Sequence, residues 1–160
     1  MNRDVVIRPG VPDDVHAVAK LLFDLAVSQG SGEALCVDSE ALLRDAFGDR
    51  PRIHLLIAES GNEIAGVALY FFNYSTWFST RGLYLEDLFV LPAYRHRGVG
   101  RAMMRHLARI AGDEKCGRFQ WLVLRSNETA IRFYESLGAK LIDDWAPMMI
   151  YADGIQKLAE

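Results

Sequence analysis

The sequence predicts a mixed α/β fold of the α+β kind. A twisted, mostly antiparallel sheet carries one splayed parallel strand pair, with helices on both faces. Three observations point there. Short apolar runs bounded by turn residues alternate with helical repeats along the 160 residues. Two of those runs, Ile53 to Ala58 and Ile64 to Tyr74, are joined by Gly61-Asn62, the signature of an antiparallel hairpin. Further on, the run from Tyr84 leads through a glycine-bearing loop and a helical repeat to another apolar run at Phe119. Such a strand–helix–strand crossover implies a parallel pair.

The elements follow in order. Val5-Val6-Ile7-Arg8-Pro9 reads as a first strand ended by proline. Asp13 or Asp14 starts a helix whose apolar face is Val15, Val18, Leu22 and Leu25, ending near Val27. Residues 28–33 form a polar loop, and Asp38-Ser39-Glu40 caps a second helix with Leu42, Leu43 and Phe47 inward and Gly48 as its stop. After the hairpin, residues 75–82 link to the strand that begins at Tyr84. Val99, Met103, Leu107 and Ile110 then recur at helical spacing. Phe119 to Leu124 is the next strand, and Asn127 to Leu137 is a helix stopped by Gly138. Lys140-Leu141-Ile142 and Met148-Met149-Ile150-Tyr151 read as two final strands that close the sheet. No linker or repeat interrupts this order, so residues 1–160 are expected to form a single domain.

Composition narrows the function. Hydrophobic residues make up 51% of the chain, enough for a proper core, and the net charge of −3 argues against nucleic-acid binding. No apolar run reaches the length of a bilayer span and no signal pattern follows Met1, so a cytoplasmic protein without a membrane partner is expected. Cys36 and Cys116 form no C-x-x-C pair. His16, His54, His96 and His106 lack ligand spacing, so no metal is expected.

The stretch YLEDLFVLPAYRHRGVGRAMMRHL, from Tyr84 to Leu107, holds the chemistry. A strand feeds a glycine-bearing turn into a helix start. There the first N–H groups lack intrahelical partners, the helix dipole is positive, and Gly98 and Gly100 let a ligand approach the backbone. Arg95, Arg97 and Arg101 add cationic side chains, so a phosphate-bearing ligand is expected. The loop is not a Walker A sequence, and Met103 stands where a dinucleotide fingerprint needs its third glycine.

The pattern R-x-x-G-x-G after a strand resembles the pyrophosphate loop of the GNAT N-acetyltransferase superfamily. Asn127-Glu128-Thr129-Ala130-Ile131-Arg132-Phe133-Tyr134-Glu135-Ser136-Leu137-Gly138 looks like that family's second signature. Tyr84-Leu85-Glu86-Asp87-Leu88-Phe89-Val90, with the aromatic stretch 70–78, is similar to the branch of spermidine/spermine and thialysine acetyltransferases. The resemblance implies acetyl-CoA as cosubstrate and acetyl transfer to a primary amine by direct attack. It implies that Glu86 is the base and Tyr134 the acid. The backbone of Leu88, Phe89 and Val90 would meet the pantetheine arm, with the N–H of Phe89 polarising the acetyl oxygen. Arg95, His96, Arg97, Gly98, Val99, Gly100 and Arg101 would cradle the pyrophosphate. Asn127, Ala130 and Tyr134 would complete the cofactor site.

The resemblance is weaker on the substrate side. Substrate-binding positions fall at Ser28, Gln29, Trp77, Glu86 and Asp87, and Ser75 stands where the polyamine enzymes are expected to carry an aspartate. Fewer carboxylates mean weaker pairing with a multiply charged amine, so a small amine, a diamine or a lysine-like amine fits as well as spermidine. Glu33 and Asp87 are the nearest remaining acids. An enzyme acting on protein amines and a non-catalytic acyl-CoA-sensing module are the competing readings. The branch resembled forms homodimers, and the apolar set Trp145, Met148, Met149, Ile150 and Tyr151 would be covered in one.

Overall fold

The computed structural model describes residues 5–30 and 37–160, so Glu33 and Cys36 lie outside the described residues. The chain divides into two compact units, Met1–Leu122 and Val123–Glu160.

In the first unit, strands β1 (Val5–Pro9), β2 (His54–Ser60), β3 (Glu63–Ser75), β4 (Thr80–Val90) and β5 (Phe119–Trp121) form one sheet in sequence order. The first three pairings are antiparallel, and β4 runs parallel to β5. The expected mixed sheet is present. Helices α1 (Val15–Ser28) and α2 (Ser39–Phe47) precede β2, and α3 (Val99–Asp113) connects β4 to β5.

The start of α1 follows from its acids. Pro12 opens a short 3-10 turn, and the Asp14 carboxylate accepts the Val11 N–H at 2.8 Å. Arg8 of β1 reaches that same carboxylate with two nitrogens, at 2.7 and 2.9 Å, and also pairs with Glu59 of β2. The hydrogen bonds from Arg8 hold the Asp14 carboxyl below the usual carboxylate range, although burial opposes them. One guanidinium thus ties β1, β2 and the entry to α1. Asp38 caps α2 by accepting the Glu40 N–H at 2.9 Å, as its position before Ser39 predicts.

Each face of the sheet has its own core. Val15, Val18, Leu21 and Leu22 of α1, with Leu42 and Ala46 of α2, pack on Leu55, Ile57, Val67, Leu69 and Phe89. On the opposite face α3 buries Val99, Met103, Met104 and Leu107 in contact with β1 to β4. Leu56, Leu83, Leu85, Met103 and Leu107 are fully buried, each stabilising the fold by about 1.5–3 kcal/mol relative to exposure.

The second unit contains α4 (Glu128–Glu135) and α5 (Ala152–Leu158). Asn127 caps α4, its side-chain oxygen accepting the Ala130 N–H at 3.1 Å, and Gly138 adopts φ 92° just past the helix end. The expected strands at 140–142 and 148–151 are absent: no residue from 139 to 150 is in a strand. The apolar run there is real, but a run becomes a strand only when it finds a ladder partner. In the single chain Met148 is 94% exposed. Helix α5 was not anticipated from the sequence, because Gly154 in its middle weakens the helical signal. Among the described residues no helix is long and apolar enough to cross a membrane.

Candidate active site

Strand β4 changes its relation to both neighbours at Glu86. Tyr70 pairs with Leu85 and the preceding Leu69 pairs with Asp87, so Glu86 is the extra residue of a β-bulge. Before the bulge, Leu83 and Leu85 lie opposite Phe72 and Tyr70, on the face covered by α3. Beyond it, Asp87 and Phe89 lie opposite Leu69 and Val67, on the face covered by α1 and α2. The bulge turns the strand over.

The same switch redirects the backbone. Leu83 donates its N–H to Arg118 at 3.0 Å, on the β5 side. Pairing with β5 covers only Leu83 to Leu85 and then ends. Past the bulge, Leu91 donates to Ala65 of β3 at 2.9 Å, which makes Leu91 and Ala65 a hydrogen-bonded pair. Antiparallel alternation then points the peptide groups of Phe89 at β3 and those of Leu88 and Val90 away from it. The carbonyl of Val90 confirms this direction, because Arg95 Nε donates to it at 2.9 Å. The expected N–H of Phe89 therefore faces the ladder, and the outward N–H groups belong to Leu88 and Val90. The bulge at Glu86 is what shifts the outward amides by one residue from the one the resemblance implies.

The strand ends in a short 3-10 turn, Pro92–Tyr94, and then the predicted loop. His96 and Gly98 both adopt left-handed backbone, φ 60° and 81°. Gly98 is the N-cap of α3, and its carbonyl accepts the first helical bond from Ala102 at 2.9 Å. The N–H groups of Val99 and Gly100 precede that bond and point out of the helix end. A left-handed residue leading into a helix makes a concave nest of N–H groups that suits an anion. No atom lies within 4 Å of where a Gly98 Cβ would sit, so the space in front of the loop is open. Arg95 stacks over Phe89 and Arg97 over Tyr94, with centroid distances of 5.4 and 5.9 Å. Tyr94 donates its hydroxyl to Glu63 at 2.6 Å, fixing the turn to β3.

Three titratable groups meet at the bulge. Glu86 is exposed, while Asp87 and Tyr84 are half-buried on either side of it. Burial, and then the charge of Glu86, push the Asp87 carboxyl up to about 6. The same two causes raise the Tyr84 phenol, whose ring stacks on Phe71 at 5.0 Å. Tyr134 lies in the last turn of α4, its ring 5.2 Å from that of Phe133, and burial raises its phenol.

The remaining candidates are placed as follows. Ser28 ends α1 and donates its hydroxyl to the Leu25 carbonyl at 2.6 Å, and Gln29 is the C-cap of that helix. Trp77 sits in the β3–β4 connection, 81% exposed, and Ser75 is buried. Asn127, Ala130 and Tyr134 share α4 and its cap. A cleft of about 620 Å³, lined by Arg8, Asp13, Asp24, Glu59 and Glu63 among others, belongs to the packing of α1 on the β2–β3 turn. It contains no predicted site residue.

A strand edge whose pairing with β5 ends at the bulge, followed by a helix start with outward N–H groups, has the shape and polarity that suit an extended ligand with a phosphate end. The family model described as Acetyltransferase (GNAT) family matches residues 20–139. The chain belongs to this family of acetyl-CoA-dependent N-acetyltransferases. A thialysine N-epsilon-acetyltransferase of Sus scrofa is 32% identical over 166 residues, covering 97% of each chain. A spermidine/spermine N(1)-acetyltransferase-like protein 1 of Homo sapiens is 36% identical over 140 residues, which are 83% of this chain and 20% of that protein. Among solved structures, an integron cassette protein from the mobile metagenome of V. cholerae superposes with TM-score 0.82 at 26% identity, covering 98% of both chains.

Proposed function

We propose that this enzyme transfers the acetyl group of acetyl-CoA to a primary amine of a small molecule, such as a diamine, a polyamine or a lysine-like amine. Its two units would act together as a single N-acetyltransferase domain. The observation that carries the reading is the edge of β4 from the bulge to Val90, open on the β5 side and leading directly into the Gly98 loop. Its outward amides suit the amides of a pantetheine arm, as an added strand pairs with a sheet edge. The helix start suits the pyrophosphate. Relatives named for thialysine and for spermidine/spermine support a small amine as acceptor.

The chemistry is direct transfer. A bound ammonium loses a proton to Glu86 through water, and the free amine attacks the acetyl carbonyl carbon. The outward N–H of Leu88 polarises the carbonyl oxygen, the C–S bond breaks, the thiolate takes a proton from Tyr134, and the second proton shed by the acylated nitrogen returns through solvent to the phenolate. A raised phenol remains protonated at neutral pH and so has a proton to give. Glu86 and Asp87 place adjacent carboxylates at the bulge, and their negative potential attracts a cationic amine.

Thiol release from acetyl-CoA, measured with diamines, polyamines, lysine analogues and aminoglycosides, tests the reading. Tyr134→Phe should keep coenzyme affinity and slow turnover by about 10²-fold. Glu86→Gln should depress the rate most at low pH, where the amine arrives protonated. Turnover on none of these amines, or an unaltered Tyr134→Phe enzyme, speaks against it.

A further inference from the structure

We infer that Arg95 is a positioning residue that sets the end of the ligand-binding strand edge, rather than a charge held out for phosphate; this rests on the acetyl-CoA reading above. Its Nε donates to the Val90 carbonyl at 2.9 Å, and its guanidinium lies over the Phe89 ring, 5.4 Å from the centroid. Val90 is the last residue of β4, and its carbonyl points out of the ladder with β3. Without Arg95 that carbonyl would be one more acceptor on the open edge. An extended ligand bearing amides would then have two registers available, one of them reaching a residue too far toward the loop. With the acceptor taken, the edge offers the Leu88 groups and the Val90 N–H, and the ligand's phosphates are directed to the start of α3. Phe89 belongs to the core under α1 and α2, so the stacked guanidinium also ties the loop to a rigid element.

Side-chain geometry separates this role from a purely electrostatic one. Glutamine places its Nε2 the same number of bonds from the backbone as the Nε of arginine, so Arg95→Gln keeps the donor and loses the charge. Lysine keeps the charge and has a carbon at that position. Arg95→Met keeps an apolar stem out to that position and loses both. The three variants and the parent are assayed for kcat and KM with acetyl-CoA, and CoA affinity is measured by calorimetric titration. Positioning requires the Gln variant to hold kcat within about threefold of the parent. It also requires the Lys and Met variants to fall together by about tenfold or more, because a misplaced acetyl carbon loses the attack geometry. A Lys variant with parental kcat beside a Gln variant as slow as Met overturns the inference, as do four equal rates. A parent that binds CoA while the variants behave in that way leaves the acetyltransferase reading standing. A parent that binds no CoA overturns both.

Discussion

Asp87 makes the cost of the site measurable. Its carboxyl is pushed to about 6 in the fold, above the ordinary value of 3.8. Between those two values the folded state binds more protons than the unfolded chain, so the contribution of this group to stability falls as pH rises through the window and is lowest above it. Asp87→Asn removes the dependence. The variant should gain on the parent by about 1–3 kcal/mol as pH goes from 4 to 7, read from urea unfolding at each pH. A constant difference between the two proteins would return Asp87 to an ordinary surface acid. The residues that carry this chemistry were legible in the sequence, because two adjacent acids inside an apolar strand are conspicuous. What they do to the strand was less so. The sign of the bulge was there, with apolar residues at Leu83 and Leu85 and then an adjacent pair at Leu88 and Phe89. The resemblance implies Phe89 for the outward amide, and the bulge places Leu88 and Val90 there instead.

At the scale of elements, β3 and α3 meet through a glycine. A Cβ on Gly66 would lie 2.8 Å from the backbone oxygen of Phe89 and 3.3 Å from Met103 Sδ. The carbonyl belongs to a strand and yields little. Gly66→Ala should therefore destabilise the protein by about 1–3 kcal/mol, seen as a lower urea midpoint, and should weaken CoA binding because β4 must shift. Gly98 differs. Open space faces it, but φ is 81°, so a Val there brings backbone strain of about 1–2 kcal/mol and a distorted helix entry. Gly98→Val should lower CoA affinity in titration, and unaltered affinity would remove the loop from the site. Helices α1 to α4 were readable from caps and periodicity because those signals are local. The last two expected strands were not, because pairing is a property of a partner and not of a run.

For the whole molecule, the exposed apolar surface in the second unit calls for a cover. Trp145, Met148, Met149, Ile150 and Tyr151 are all exposed in the single chain, as are Ile155 and Leu158 of α5. A homodimer that buries them is the proposal, with the segment 148–151 supplying the strand that one chain leaves unpaired. Light scattering at micromolar concentration should give twice the 18.0 kDa chain mass. Met148→Glu with Ile150→Glu should shift it to monomer. A fully active monomer would leave the apolar set without this role.

The turning of β4 at Glu86 has a further consequence for how such an enzyme can change. The buried residues ahead of the bulge, Leu83 and Leu85, lie on the α3 face, whereas the buried Phe89 after it packs under α1 and α2. Substitutions that reshape the core on one side need not propagate along the strand to the other. A lineage could therefore repack Leu83 and Leu85 while holding Phe89 fixed, because they are buried in different cores. Insertion or loss of a single residue near Glu86 is the one change that would couple them, since it would invert every side chain on one side of it.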